Sequence, residues 1–293
     1  MELSFSLNYL LKQYGSTEPR PMKEAVQFCR DAGFRYVDYT PDFLSADWAE
    51  RAHRDRELLE AAGISVEQTH VPFNRYRQYD DEQFPRYCRQ AWEASRILGA
   101  KYVVVHADEY RTAGRYDEEE ILRFTCAYLA PYVEYAEKNG LVLAVENVFE
   151  DQSRRWPPVD GKSRFTSRVG ELKAVIEHFA SPTVACCWDF GHAKCAYGNE
   201  NMLDAMKEVG RHIVCTHVHD NYYGKDLHLM PFLGEIDWEA HLACLRELGY
   251  AGKLSFELVY GNLPDPLLPG FLHMVHAAGD YMNTLFGRSP SRL

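Results

Sequence analysis

The chain has 293 residues, of which 46% are hydrophobic and 26% charged, as is typical of a globular protein with a sizeable core. Its formal net charge of −11 repels polyanions at long range, so the chain as a whole gains no electrostatic help in binding DNA or RNA. The first residues, MELSF, lack the basic and apolar segments of a signal peptide, and no stretch reaches the ~18 apolar residues that cross a bilayer.

These features and the cysteines predict a cytoplasmic protein without a membrane partner. The eight cysteines are scattered through predicted helices and strands. Cys186 and Cys187 are neighbours within one predicted strand, so their side chains point to opposite faces. Free buried thiols in a reducing compartment explain this distribution more simply than disulfides do.

Short β-rich runs alternate with longer amphipathic stretches along the chain. The eight predicted strands are, in chain order, Leu3–Tyr9, Tyr36–Tyr39, Ser65–Val71, Tyr102–Ala107, Val142–Val148, Val184–Asp189, Ile213–His219 and Leu254–Leu258. The clearest helical patterns are Ala46–Ala62, Asp81–Leu98, Asp117–Asn139, Arg168–Phe179, Asn201–Gly210, Trp238–Leu248 and a last helix within Pro266–Phe286. Glycines that end helices before the next strand are predicted at Gly33, Gly63, Gly99, Gly140 and Gly249.

This alternation predicts an α/β fold in which residues 1–293 form a single (β/α)8 TIM barrel. The strands are nearly continuous apolar runs, as in a parallel sheet covered on both faces. Eight βα units without a linker or a break in composition favour a closed barrel. A doubly wound sheet is the alternative, and it is disfavoured because no Gly-rich phosphate-binding turn follows the first strand.

Polar residues stand near the carboxyl ends of six consecutive predicted strands, the third to the eighth. In chain order they are His70, His106, Glu146, Asp189, the pair His217 and His219, and Glu257. One such residue alone is usually a helix cap, an ion-pair partner or a satisfied core histidine. Together they predict a common site, because the strand ends of a barrel converge on one face.

A cation is the simplest partner for these carboxylates, because buried charges need compensation and the same strand ends lack Lys and Arg. Its ligand set would be two Glu, one Asp and one His. That set suits a Mn2+-like or Mg2+-like ion better than a metal that prefers thiolates.

In this strand order the residues resemble those of the xylose-isomerase-like barrel superfamily, which contains sugar-phosphate isomerases and epimerases, the ketose 3-epimerases and the endonuclease IV class. The resemblance covers essentially the whole chain. In the ketose 3-epimerases a metal is held by Glu, Asp, His and Glu on strands five to eight, which match Glu146, Asp189, His217 and Glu257 here. The resemblance implies one divalent ion, Mn2+ first, with Co2+ or Mg2+ as alternatives and Zn2+ if the site is multinuclear.

Two histidines compete for the ligand position on the seventh strand. His217 is preferred, because the family's ligand stands three residues before an acidic residue, as His217 does before Asp220. His219 then becomes a substrate contact or a group that supports the site. The Asp-x-x-His of the sixth strand also matches the family, in which its histidine contacts substrate, and here that residue is His192.

The resemblance implies a sugar isomerase or epimerase that removes a proton next to a carbonyl. The metal would hold the carbonyl and hydroxyl oxygens and stabilise a cis-enediolate. Glu146 and Glu257 would form the acid/base pair, one removing the proton and the other returning it to the opposite face. If one base serves two adjacent carbons, the reaction is aldose–ketose isomerisation instead, and the sequence leaves this choice open.

A rival interpretation is a zinc phosphodiesterase that cleaves abasic DNA. With Asp226 and His228 included, nine residues are similar to the trinuclear zinc site of the endonuclease IV class. The net charge and the dispersed basic residues weigh against it, and Gly234–Trp238 resembles a segment of the sugar-isomerase-like members. Another metal-dependent lyase or hydrolase acting on sugar-derived substrates is a further alternative. A purely ligand-binding barrel is disfavoured because the metal set is complete.

In the sugar-enzyme interpretation, the expected substrate contacts are His70, His106, His192, His219, Asp226 and His228. No Gly-rich phosphate cradle follows the seventh or eighth strand, which favours an unphosphorylated sugar, a polyol or a glycoside. Phe73, Trp156 and Tyr223 are candidates for stacking on a sugar ring, whereas Trp188 should point to the helices. The irregular stretch Phe149–Ser167 is either a lid or a solvated loop. The expectation of a homo-oligomer comes from the fold class alone.

Overall fold

A computed structural model describes residues 1–11, 19–74, 79–107, 117–149, 164–222 and 224–288 of the chain. Eight parallel strands form the barrel: β1 (Leu3–Ser6), β2 (Tyr36–Asp38), β3 (Ser65–His70), β4 (Tyr102–Val105), β5 (Val142–Glu146), β6 (Val184–Asp189), β7 (Ile213–His217) and, after a short hairpin, β10 (Leu254–Phe256). Their spatial order is β10-β1-β2-β3-β4-β5-β6-β7.

The barrel closes between its two outermost strands, beyond the last residue of β7. Val218 pairs in parallel with Phe256. The Val218 amide donates to the Ser255 carbonyl at 2.7 Å, and the Glu257 amide donates to the Val218 carbonyl at 3.2 Å. The predicted (β/α)8 TIM barrel is therefore confirmed, and closure brings the end of β10 beside the end of β7.

Helices surround the barrel between the strands. They are α1 (Leu7–Leu11), α2 (Met22–Asp31), α3 (Trp48–Ala61), α4 (Gln83–Leu98), α5 (Glu118–Asn139), α6 (Val169–Phe179), α7 (Phe190–Val209), α8 (Trp238–Glu247) and α9 (Leu268–Gly287). The Asp117 carboxylate caps α5 by accepting from the Glu120 amide. Gly99 and Gly140 end α4 and α5 in the left-handed conformation, as predicted. No helix in these described ranges is long and apolar enough to cross a bilayer.

Most predicted bounds differ from the structure by no more than two residues, and three local differences are larger. The first strand ends at Ser6 rather than at Tyr9, because residues 7–11 turn into α1. The helix expected from Asn201 begins at Phe190, directly after β6, and is interrupted at Gly198, where φ is 65°. The segment after β7, for which no strand was predicted beyond His219, forms a hairpin of β8 (Asp220–Tyr222) and β9 (Lys225–Leu229).

The barrel interior contains an apolar layer below a polar one. The apolar layer is a separate cluster of Tyr102, Val104, Ala144, Cys187 and Cys215. The Cys187 sulfur lies 3.7 Å from His217 Nδ1, where the polar layer begins. Trp188, the next residue along β6, packs in the outer core between barrel and helices, as predicted. All eight cysteines are buried free thiols, as predicted.

Packing between α9 and the barrel can be tested at two glycines. A Cβ at Gly279 would lie 2.6 Å from Leu3 Cδ1 and 3.1 Å from Phe256 Cζ, whereas one at Gly270 would meet nothing within 4 Å. We expect Gly279→Ala to lower the free energy of unfolding by about 1–3 kcal/mol through overpacking. Gly270→Ala should be neutral or stabilising by up to about 1 kcal/mol. Urea denaturation would measure the free energy of unfolding of the wild-type protein and of both variants. Equal free energies of unfolding for Gly279→Ala and Gly270→Ala would contradict the packing described.

Candidate active site

The strand ends deliver the candidate residues to one face of the barrel. Glu146, Asp189 and His217 are the last residues of β5, β6 and β7, and Glu257 directly follows β10. Each side chain points inward because alternate residues of a barrel strand face the interior. The site therefore follows from strand register, without any special loop conformation.

His217 Nδ1 is the point at which these residues meet. It lies 3.2 Å from a Glu146 oxygen, 3.5 Å from an Asp189 oxygen and 3.5 Å from a Glu257 oxygen. The side chains of His217 and Asp189 are fully buried, and that of Glu257 is 16% exposed. Three carboxylates thus surround one imidazole nitrogen at the bottom of the site.

The close contacts between carboxylates and imidazoles shift the pKa values of Glu146 and His217 in opposite directions. Burial alone would raise the pKa of Glu146, but the charges of His217 and His106 hold it well below its usual range. Burial alone would likewise lower the pKa of His217, but the charges of Glu146 and Glu257 raise it well above its usual range. Carboxylates and imidazoles therefore stabilise each other's charged forms.

Each glutamate has a second oxygen held by another side chain. Glu146 Oε2 lies 3.0 Å from His106 Nε2. Glu257 Oε1 accepts a hydrogen bond of 3.1 Å from the Tyr9 hydroxyl. Burial, together with the charge of Glu257, raises the pKa of Tyr9 well above its usual value, so the phenol keeps its proton for this bond. Each carboxylate therefore has one anchored oxygen and one that faces the centre.

Asp189 combines the role of a helix cap with a place in the site. One of its oxygens accepts from the His192 amide at 2.6 Å and caps α7. The Asn147 side chain bonds both the amide and the carbonyl of Asp189, at 2.7 and 2.8 Å. His219 Nε2 lies 3.0 Å from the capping oxygen. The carboxylate is thus fixed while its other oxygen points towards His217.

A cavity of about 550 Å3 opens above this centre. Seven of the ten predicted site residues line it: His70, His106, Glu146, His192, Asp226, His228 and Glu257. The other three, Asp189, His217 and His219, lie fully buried beneath it. Of the two roles left open for His219, its contact with Asp189 favours support of the site. His217 Nδ1 lies 3.2–3.5 Å from the oxygens of three carboxylates, which favours His217 as the ligand of this strand.

The hairpin after β7 contributes Asp226 and His228 to the cavity wall. The Asn221 side-chain oxygen accepts from the Leu227 and His228 amides at 2.6 and 3.2 Å. His228 Nε2 lies 3.4 Å from an Asp226 oxygen. Burial would lower the pKa of His228, but chiefly the Asp226 charge raises it to about 10. The pair is therefore an ion pair held in place through the backbone.

The remaining cavity wall is aromatic and basic. Phe73 stacks on His106, with ring centroids 4.8 Å apart, and so lies where a stacking side chain was predicted. Phe149 packs against His192, with ring centroids 5.1 Å apart, and the Arg164 guanidinium lies over the Phe149 ring, 5.2 Å from its centroid. Trp156, Tyr223 and most of the stretch Phe149–Ser167, predicted to be either a lid or a solvated loop, lie outside the described residues.

Three residues of the site were missed by the sequence analysis. Asp38 closes β2 as the other polar residues close their strands, so the same reasoning extended by one strand would have found it. Arg164 precedes α6 and had no motif to mark it. Tyr9 follows β1, and its partner Glu257 is 248 positions away in the chain, so no local pattern indicates this bond.

The donor set fits a divalent cation. Ligand atoms of Asp189, His217 and Glu257 lie within 4.8 Å of one another, as do those of Glu146, Asp189 and His192. Throughout the described ranges, no Lys or Arg lies within ion-pair distance of Glu146, Asp189 or Glu257, whose charged neighbours are histidines. Buried carboxylate oxygens with one imidazole nitrogen match what Mn2+, Mg2+ or Zn2+ accept.

A parallel barrel with carboxylates and histidines at its carboxyl-terminal face defines the class of fold and site. The chain belongs to the family of xylose isomerase-like TIM barrels, whose model matches residues 26–274. That range includes every barrel strand except β1. The suspected superfamily is therefore confirmed.

Individual relatives are distant. The chain is 24% identical over 255 residues to the inosose isomerase of Bacillus velezensis, covering 81% of this chain and 83% of that protein. It superposes on a D-psicose 3-epimerase with a TM-score of 0.74 at 12% identity, over 98% of this chain and all of the other. The IolI protein with a bound zinc atom matches with a TM-score of 0.70 at 17% identity, over 98% of both chains. At such identities the structures show a shared fold alone.

The raised pKa of His217 predicts how cation binding depends on pH. The charges of Glu146 and Glu257 that raise the pKa of His217 favour a proton on the nitrogen that faces the carboxylates, and a cation bound there would have to displace that proton. We expect the apparent Kd for Mn2+ to fall as pH rises from about 6 to about 8, by up to about tenfold per pH unit, with release of about one proton. Calorimetry in buffers of different ionisation enthalpy measures the Kd for Mn2+ and the number of protons released on binding. An unchanged Kd without proton release would contradict this arrangement.

Proposed function

We propose that this protein is a metal-dependent sugar isomerase or epimerase with Glu146 and Glu257 as its acid/base pair. The observation that carries the proposal is the convergence of Glu146, Asp189 and Glu257 on His217 Nδ1 beneath a cavity of about 550 Å3. The inosose isomerase and the D-psicose 3-epimerase, to which the chain is similar, support the reaction class.

The metal would be held by Glu146, Asp189, His217 and Glu257. When bound, it supplies a positive charge that favours ionisation next to a carbonyl. Mn2+ is proposed first on the oxygen-rich donor set, with Co2+ and Mg2+ as alternatives, and the zinc in the IolI structure makes Zn2+ a further candidate.

The two glutamates are suited to move protons because each has one oxygen held at the side and one directed towards the centre beside His217. Tyr9 holds Glu257 and His106 holds Glu146, so neither carboxylate can rotate away from the cavity. Their parent strands, β10 and β5, are separated by β6 and β7, so the carboxylates approach from different sides. A substrate carbon between them would lose a proton to one and gain it from the other, which gives epimerisation.

The substrate that fits the cavity is a small polyhydroxylated molecule. His70, His192, Asp226 and His228 offer hydrogen-bonding groups around the wall, and Phe73 and Phe149 offer ring faces. The only basic side chain other than histidine among the described lining residues is that of Arg164. We therefore propose an unphosphorylated sugar, a polyol or a sugar derivative.

Solvent exchange in deuterated water, followed by NMR over a panel of ketoses and aldoses, tests the proposal. With the wild-type protein we expect deuterium to be incorporated at a carbon next to the carbonyl. Glu146→Gln or Glu257→Gln should lower the rate of deuterium incorporation by about 10²–10⁴-fold. Glu177→Gln, an exposed substitution on α6, is the matched control and should retain the wild-type rate. The product distinguishes epimerisation from isomerisation. If metal-loaded protein exchanges no proton with any panel member, the proposal fails.

A second candidate is a zinc phosphodiesterase acting on abasic DNA. The observation that favours it is a further cluster of potential ligands, His192, His219, Asp226 and His228, with atoms within 4.8 Å of one another. This cluster and the main centre together would hold more than one ion. Two or three zinc ions per chain by elemental analysis, with cleavage of an abasic duplex, would replace the sugar reaction with this function. About one ion per chain and no cleavage would exclude it.

A further inference from the structure

We propose that Asp38, the last residue of β2, is a positioning residue that orients His217 for metal binding and His70 for the cavity. The inference rests on the proposed metal-dependent function. Asp38 is 1% exposed and does not line the cavity of about 550 Å3, but lies at an adjoining pocket of about 360 Å3 that shares His70 and Glu257 with it.

Each oxygen of the Asp38 carboxylate faces a different imidazole. Oδ2 lies 3.3 Å from His217 Nε2, and Oδ1 lies 3.3 Å from His70 Nδ1. The Gln68 side chain also donates to Oδ2 at 3.0 Å, which holds the carboxylate itself. Asp38 therefore joins two rings that come from different strands, β7 and β3.

For His217, this contact decides which ring nitrogen faces the centre. An imidazole whose Nε2–H donates a hydrogen bond to a carboxylate keeps its proton on Nε2, which leaves the Nδ1 lone pair available to a metal. Nδ1 is the atom that lies 3.2–3.5 Å from Glu146, Asp189 and Glu257. Asp38 thus sits on the opposite side of the ring from the three carboxylates and completes a carboxylate–histidine pair behind the proposed metal position.

For His70, the same carboxylate sets a second ring parallel to the first. The two rings stack with centroids 4.7 Å apart and an angle of 17° between their planes. His70 Nδ1 is directed to Asp38, which leaves Nε2 towards the cavity, 3.9 Å from a Glu146 oxygen. One buried carboxylate therefore orients both a proposed ligand and a side chain of the cavity wall.

The two-oxygen arrangement makes Asp38→Asn an informative substitution. An asparagine has nearly the same shape but only one acceptor oxygen, so it cannot accept from both rings. A merely space-filling role would tolerate this change, whereas a positioning role would not. Asp204→Asn, which removes the same charge from a side chain 82% exposed on α7, is the matched control.

The experiment measures the Kd for Mn2+ alone by competition with a chelator, for wild-type protein and both variants. We expect Asp38→Asn to weaken binding by about 10–100-fold and Asp204→Asn to leave it unchanged. Equal Kd values for wild type and Asp38→Asn would overturn the inference while leaving the proposed function intact. If wild-type protein binds no Mn2+ or Zn2+, the proposed function and this inference fail together.

A second measurement keeps the inference testable if Asp38→Asn does not fold. In wild-type protein loaded with Zn2+, nitrogen-15 NMR should show the His217 ring protonated at Nε2, with that proton protected from solvent by its bond to Asp38. Protonation of His217 at Nδ1, or rapid exchange of the Nε2 proton, would overturn the inference.

Discussion

Compensation of buried charge is the constraint on which the upper half of this barrel depends. Asp38, Glu146 and Asp189 have side chains no more than 2% exposed, and their ion-pair partners among the described residues are histidines, with no Lys or Arg. Histidine is the residue that suits this task, because it can neutralise a carboxylate as a cation and also ligate a metal when it loses its proton. The same histidines can thus compensate the carboxylate charges as protonated imidazoles when no metal is bound, and share a metal with the carboxylates once they have lost a proton.

The division of the barrel into layers keeps this charged region separate from the part that stabilises the fold. Below it lies the apolar cluster that contains Val104 and Cys187, and outside it lies the large core between strands and helices. Full burial of a large apolar side chain contributes about 1.5–3 kcal/mol. Stability therefore comes mainly from the lower and outer layers, and the face at the strand ends is left to carry chemistry.

Much of this arrangement could be predicted from the order of residues along the strands. Glu146, Asp189, His217 and Glu257 could be expected on one face of the barrel, where the structure brings them together, because strand ends of a barrel converge whatever the loops do. The contacts of Tyr9, Asp38 and Arg164 could not be derived in the same way, because they depend on which distant side chains meet. The early start of α7 was missed because Asp189 ends a strand and caps a helix at once.

The hairpin of β8 and β9 has a consequence for how the specificity of such a barrel can change. Asn221 holds the hairpin through the backbone amides of residues 227 and 228, and Asp220 holds the chain that follows through the amides of Phe232 and Ile236. Side chains at positions 226 and 228 add two further bonds, because Asn221 Nδ2 donates to Asp226 Oδ1 at 3.3 Å and His228 Nδ1 lies 2.9 Å from the Glu257 carbonyl oxygen. New side chains at those two positions would alter the chemistry of the cavity wall while the amide bonds to Asn221 and Asp220 still guided the chain. The hairpin is therefore a site at which relatives of this protein can diverge in substrate, at the cost of the bonds that Asp226 and His228 make and of the positive φ of 49° at position 228.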